Sequence, residues 1–368
     1  MKLDTRIAGW LAAAFVFAAL GLAAGDVRGD WKKGLYPVDR GGKWGYINSL
    51  GKMSISPRFD EVSYFSEGLA AVKQNGKYGF INSTGKTIIE PQFTHAFAFR
   101  EGLAWVDGDP AGFIDKTGKI AVTAPPGTYC REFHEGLAQA MPAPSSGPAD
   151  SAAEPPKIGF IDKTGAYAIK PGFDAAWDFE EGLAAVEQNK KWGFIDKTGS
   201  FVIEPRFDGA TYFSEDAAAV RVFDKSVFID KSGKRIFPTE FEDAQGFVEG
   251  LAGVNVLGKW GFIDKTGNVV IKPKYEQVSA FFNGRASIVL DGKYGYIDKT
   301  GKVIVKPKYS YGHFFLGDLA AVTYHPERPD GAGTGYITRS GREVWKPEPL
   351  KAAKERRGRR RAPVRRRR

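Results

Sequence analysis

The chain has 368 residues, of which 42% are apolar and 13% aromatic, ample for a packed interior, and its 45 glycines and 21 prolines point to many short strands joined by tight turns. A single cysteine, Cys130, excludes an intramolecular disulfide and argues against a cysteine metal cage, so packing and backbone hydrogen bonds must hold the fold. The formal charge of +10 is that of the C-terminus alone: residues 351–368 hold eleven of the 53 basic and one of the 43 acidic residues, which leaves 42 of each before it and excludes a basic body.

Residues 1–25 read MKLDTRIAGWLAAAFVFAALGLAAG. Lys2 and Arg6 precede an uncharged run from Ile7 to Ala24, and Ala23 and Gly25 are small where signal peptidase cuts. The segment is read as an export signal cleaved near Gly25, with an uncleaved membrane anchor as the alternative, because the run approaches the roughly 20 residues that span a bilayer. Either way the rest of the chain is expected in the periplasm or outside the cell. Residues 26–40 are read as a linker.

From 41 to 348 the chain repeats itself. The unit reads G-K-W/Y-G-F/Y-I-D/N-K/S-T/S-G-K, then V/I-I-x-P-x-F/Y-D, then F-x-E-G-L-A-x-V. Its second glycine recurs at Gly45, Gly79, Gly112, Gly159, Gly193, Gly261, Gly295 and Gly335, and Ser226-Val227 marks a degenerate copy between Gly193 and Gly261. Nine copies result, at steps of 34, 33, 47, 34, 34, 34, 34 and 40 residues. The long steps are insertions, a Pro/Ala/Ser-rich stretch at 141–156 that has little apolar surface to bury and a second one around Tyr324 to Asp330.

A period of 34 residues also suits helical repeats, but the prolines of each unit (Pro57, Pro91, Pro171, Pro205, Pro273, Pro307) and its glycines rule helix pairs out. Runs such as Leu69 to Val72, Tyr78 to Ile81 and Thr87 to Ile89 have strand length and composition, so each unit is read as about three short antiparallel strands. The turn Asp196-Lys197-Thr198-Gly199 recurs at Asp115, Asp162, Asp230, Asp264 and Asp298, with Asn48 and Asn82 replacing Asp in the first two copies. Asn performs the same turn chemistry without charge, which favours a structural role. In Leu183-Ala184-Ala185-Val186 both strand faces are apolar, so every unit should be sandwiched between neighbours, with Trp44, Trp192 and Trp260 supplying large buried area. The fold class is therefore all-β. An open or spiral array is preferred on the number of copies and the uneven insertions, with a propeller-like ring as the alternative.

The motifs around Trp44-Gly45, Trp192-Gly193 and Trp260-Gly261, each with a downstream Glu-Gly-Leu-Ala or close variant, resemble the bacterial WG (KWG) repeat family over roughly residues 41–346. Tyr78 and Tyr294 replace the Trp conservatively, whereas Ala111, Ile158, Ser226 and Thr334 depart from it. The resemblance implies a β-rich repeat protein, often exported, that binds partners; it supplies no active site to carry over.

Chemistry-bearing residues outside the repeat are few. His95, His134, His313 and His325 fall at different phases of the unit, so surface or turn positions are expected and neither a metal nor a catalytic pair. Cys130 and His134 lie four apart on a non-helical segment, and no orienting acid is expected nearby. The Glu of Glu-Gly-Leu-Ala (Glu67, Glu101, Glu135, Glu181, Glu249) could stack as a cation-holding ladder, but turn-forming residues with solvated carboxylates are preferred, and the Lys of Gly-Lys-Trp-Gly would offset such a row. No cofactor is expected. The 349–368 tail, with Arg356, Arg357, Arg359, Arg360, Arg361, Arg365, Arg366, Arg367 and Arg368, is read as disordered and suited to anionic phosphates of membrane lipid or lipopolysaccharide, with nucleic acid ranked lower for an exported chain. These features lead to a non-enzymatic binding or scaffold protein of the bacterial envelope whose partner is an unidentified protein or envelope polymer. Contacts are expected on loops, exposed aromatics and the insertions 141–156 and 324–333. The rivals are an envelope hydrolase, which needs a non-repeating acid pair in one pocket, and a pure spacer.

Overall fold

A computed structural model describes residues 34–108, 111–142, 156–324 and 333–347. The proposed export signal, most of both insertions and the Arg-rich tail lie outside the described residues.

The described residues form 34 strands and no helix, arranged as nine antiparallel sheets, seven of four strands and two of three. Each sheet is one repeat, numbered here as blades 1 to 9: residues 35–59, 61–93, 95–123, 128–173, 175–207, 209–229, 243–275, 277–309 and 311–345. Blade 2 shows the pattern, with strands Glu61–Val62, Leu69–Gln74, Lys77–Asn82 and Thr87–Phe93 pairing in chain order. The three strands expected per unit are the second to fourth; a two-residue first strand precedes them. Blade 1 begins at its second strand, Leu35–Asp39, inside the stretch read as a linker, because Leu35 and Val38 occupy the phase of Leu69 and Val72.

The strand faces follow the sequence. Ala184 and Val186 pack against blade 4, while Leu183 and Ala185 pack against blade 6. The fourth strand, by contrast, alternates buried and exposed residues as an outer edge does. The large buried surface lies elsewhere than expected. Trp44, Trp192 and Trp260, like Tyr78 and Tyr294, are only partly buried at the margins of the clusters. The fully buried residues are the two after the glycine: Tyr46-Ile47, Phe80-Ile81, Phe194-Ile195, Phe262-Ile263 and Tyr296-Ile297. Each such side chain contributes roughly 1.5–3 kcal/mol by leaving water.

The glycine of the Trp-Gly pair is required by a close approach. Trp44 pairs with Phe59 but Tyr46 with Ile55, so the fourth strand bulges and its Pro57 arches over Gly45. A Cβ on Gly45 would stand 2.4 Å from the Ile55 carbonyl oxygen, and the same contact recurs at Gly79 and Gly261 (2.4 Å) and at Gly193 and Gly295 (2.5 Å). Gly112, Gly159 and Gly335 are crowded in the same way. Blade 6 carries Val227 at this position, and its fourth strand is missing: only isolated bridges, Ser226 to Phe241 and Ile229 to Arg235, remain. Phe237 and Phe241 fill the junction with blade 7 instead.

Nine apolar clusters join successive blades, and the ninth joins blade 9 to blade 1. An open array of nine units has eight junctions; nine make a ring. At the closing junction the Tyr36 hydroxyl donates to the Leu316 carbonyl at 3.0 Å and the Tyr336 hydroxyl to the Pro37 carbonyl at 2.8 Å. The two tyrosine rings lie 5.6 Å apart. The architecture is therefore the propeller-like ring, the alternative of the two, and not the open array.

Candidate functional site

The repeated Glu of Glu-Gly-Leu-Ala works between blades. Glu67, Glu101, Glu135, Glu181, Glu215 and Glu249 all adopt left-handed backbone, with φ between 49° and 57°. The carboxylate of Glu101 accepts the Gly136 amide of the next blade at 3.1 Å and meets the Lys163 ammonium at 3.0 Å. Glu67 does the same with Gly102 and Lys116, Glu135 with Gly182 and Lys197, Glu215 with Gly250 and Lys265, and Glu249 with Gly284 and Lys299. Glu181 accepts the amides of Glu215 and Asp216 and pairs with Lys231. These are neither a cation ladder nor solvated carboxylates; they staple neighbours together. The balancing lysine is that of the Asp-Lys-Thr-Gly turn. The Lys of Gly-Lys-Trp-Gly lies on the opposite rim, where Lys43 pairs with Asp60 and Lys191 with Asp208.

What differs between blades gathers at the centre. In the segment before each Glu-Gly or its counterpart (Glu215-Asp216, Asn283-Gly284, Gly317-Asp318), one phenylalanine is constant (Phe65, Phe99, Phe133, Phe179, Phe213, Phe247, Phe281, Phe315) and packs in a junction. Residues on either side of it face the axis, because they meet residues of blades that are not neighbours, which a ring permits only across its middle. Tyr64 of blade 2 shares one cluster with Val248 of blade 7, Phe282 of blade 8 and Phe314 and Leu316 of blade 9. This apolar sector has a shallow hollow bordered by Tyr64, His313 and Tyr336, packed too tightly to admit water.

The opposite sector is polar. His134 of blade 4 is 2% exposed, with Nε2 at 3.4 Å from Asp178 Oδ2 and Nδ1 at 3.5 Å from Glu180 Oε1, both of blade 5. Its Nδ1 lacks a hydrogen bond among the described residues. Gln139 Nε2 donates to Asp178 Oδ1 at 2.6 Å, and Arg100 Nη2 of blade 3 stands 3.8 Å from Glu180 Oε1. Burial pushes the neighbouring Glu132 carboxyl up, and the Asp178 charge adds to it against the opposing pull of its own amide, His134 and Arg131. The arrangement is an anionic socket with one imidazole, suited to a hydrogen-bond donor or a cationic group of a partner. Among the described residues no three His, Cys, Asp or Glu side chains converge as a metal site.

The remaining sites fall as follows. His134 is buried and axial, not a surface or turn residue, and acids do lie beside it. Cys130, however, is buried in the apolar junction with blade 3, where burial pushes its thiol up to about 12, so it is no nucleophile. His95 is 74% exposed beside Asp107, and burial lowers His313 to about 4. His325 and the tail arginines lie outside the described residues. The turn aspartates behave as read: Asp115 Oδ1 accepts the Thr117 and Lys119 amides, and Asn82 Oδ1 those of Thr84 and Lys86. The axial socket was missed, although one signal was present: the residues flanking the constant phenylalanine vary from copy to copy.

The WG containing repeat model matches residues 44–78, 78–107, 158–192, 192–225, 228–260, 260–294 and 294–324. No curated protein matches the chain. Among solved structures it is similar to a eukaryotic initiation factor, with a TM-score of 0.57 at 13% identity over 86% of this chain and 100% of that one, a likeness of fold alone. BamB from Moraxella catarrhalis (TM-score 0.39, 12% identity, 80% of this chain and 92% of that one) and Hsv2p of Kluyveromyces lactis (0.40, 9%, 76% and 92%) are too loosely similar to argue from.

Proposed function

The chain belongs to the WG-containing-repeat family, and from that premise we propose that it is a non-enzymatic binding or scaffold protein of the bacterial cell envelope. The observation that carries this reading is the differentiated axis of an otherwise repetitive ring. Eight blades keep the packing phenylalanine, whereas the residues beside it change into an anionic socket in one sector and an apolar plug in the other. Differentiation of one place in an otherwise repeated unit is what a recognition surface needs. The signal-like segment 1–25 supports export to the periplasm or beyond, with a membrane anchor as the other outcome. The arginines of 349–368 suit anionic envelope phosphates.

The hydrolase reading has its acid pair in Asp178 and Glu180. Asp178 is engaged by Gln139 and His134 and Glu180 by His134 and Arg100, so the pair is held for hydrogen bonding and charge pairing more than for proton transfer to a substrate. Cross-linking pull-down from envelope fractions tests the proposal. The wild-type chain is expected to capture a partner that Asp178→Asn/Glu180→Gln loses. No captured partner would favour a spacer, and turnover of a glycan lost in that variant would favour the hydrolase.

A further inference from the structure

In blades 1, 2 and 5 to 8 the second and third strands are joined by a hairpin whose tip lies on the rim opposite the glutamate staples, since the second strand starts beside the staple and ends at the tip. Three things converge on this rim. Both insertions interrupt tips, the first between Leu137–Pro142 and Ile158–Ile161 and the second between Leu319–Thr323 and Thr334–Thr338. The last described strand, Glu343–Trp345, runs towards it and brings Pro347 against Gly335, four residues before the basic segment begins at Lys351. The tips of blades 6 and 7, finally, carry large apolar residues in the open.

Phe223 is 83% and Leu257 86% exposed, and both hold left-handed backbone (φ 54° and 51°) where Asn75, Asn189 and Asp291 stand in blades 2, 5 and 8. Asn and Asp tolerate that conformation; a bulky side chain adopts it at a cost, with no packing gain here to offset it. The tips are held from beneath, the Phe223 amide donating to Asp208 and the Gly258 amide to Glu242. Beside them Val256 and Leu290 are also exposed. Ammonium groups stand on the same tips, with Asp224 and Asp291 beside them. Lys43, Lys157 and Lys191 of blades 1, 4 and 5 pair with Asp60, Asp174 and Asp208, whereas Lys225, Lys259 and Lys293 in blades 6, 7 and 8 form no ion pair among the described residues, nor does Lys77 of blade 2, whose tip carries Asn75 in place of an apolar residue.

We propose that the hairpin tips of blades 6 to 8 dock on a bilayer with anionic phosphate headgroups, Phe223 and Leu257 entering the headgroup region while Lys225, Lys259 and Lys293 meet the phosphates. Apolar side chains without a protein partner, ringed by unpaired ammonium groups, match the two layers of such an interface. The proposal rests on the envelope reading above and adds a membrane contact within the ring to the one suggested for the tail.

The test is sedimentation of the full-length chain with phosphatidylcholine vesicles, with and without phosphatidylglycerol. A variant that begins at Asp26, and so lacks the apolar segment 1–25, and whose nine tail arginines are all glutamine isolates the tips. It is expected to bind anionic vesicles still, and Phe223→Asn/Leu257→Asn in that background to weaken binding roughly tenfold, with thermal stability unchanged or raised because Asn suits the backbone. Lys225→Gln/Lys259→Gln/Lys293→Gln should remove the preference for anionic lipid. Unchanged binding by the Asn pair, or no vesicle binding by the glutamine-tail chain, would overturn the proposal. Cell fractionation reads the envelope assignment separately: a chain found only in the cytoplasm refutes that assignment whatever the vesicles show.

Discussion

Gly193 and its counterparts show how one missing side chain shapes a blade. The bulged fourth strand sits where a Cβ would be, and blade 6, with Val227, forgoes that strand. Gly193→Ala is expected to lower stability by about 1–3 kcal/mol in urea unfolding, as overpacking does; an unchanged midpoint would contradict the close approach. Cys130 reports on the same core. Buried and with its thiol raised to about 12, it should react with iodoacetamide only as the chain unfolds, so labelling in the native state at neutral pH would contradict its placement. The turn residues were legible in the sequence because their chemistry is local, an Asp or Asn oxygen reaching amides two and four residues on. The role of Trp44 was not, since size suggested a core residue while the fold gave the core to Tyr46 and Ile47.

Blades hold to one another by shared apolar faces and by the glutamate staples, and the two respond differently to perturbation. Glu249→Ala leaves the Gly284 amide without its acceptor and Lys299 with the backbone carbonyl of residue 249 alone, and is expected to cost about 1–2 kcal/mol, whereas Glu90→Ala on an exposed edge strand should be silent. Denaturant midpoints compare them directly. Acid should loosen the rim. Hydrogen bonds from the following Thr or Ser hydroxyl, foremost, hold the turn carboxyls of Asp115, Asp162, Asp196, Asp230, Asp264 and Asp298 below the usual range. Burial alone would raise Glu101, but Lys163 and the Gly136 amide together bring it below its ordinary value. Lys346 and Lys308 take Glu343 down to about 2 despite some burial. Groups depressed in the folded state add stability that is complete above their unfolded values and is lost as pH falls through the folded ones. The melting temperature should therefore start to fall below about pH 6.5, where the unfolded chain protonates His313 while the buried ring stays neutral down to about 4, and fall further below about pH 4 as these carboxylates are protonated. A level profile down to acid would contradict the staples and turns. Strands, turns and sandwiching were readable from the repeat, but the glutamates' partners were not, because each lies a whole unit away.

The whole molecule owes its distinctive site to closure. Arg100 and Glu180, of blades 3 and 5, meet at the centre, and Tyr64 of blade 2 and Val248 of blade 7 pack against one apolar cluster there, as a ring allows. Repeat phase marked these positions as variable, yet an open array would have left them apart, which is why the axial socket was invisible until the ends met. Closure itself depends on residues at the two extremes of the fold, Tyr36 and Tyr336, whose hydrogen bonds span nearly the whole described chain. Small-angle scattering from the segment 34–347 tests it most directly. A closed ring of this size should give a radius of gyration of about 20 Å and a single compact distance distribution. An elongated distribution with a long tail would show the blades strung out, and the axial socket would go with the ring.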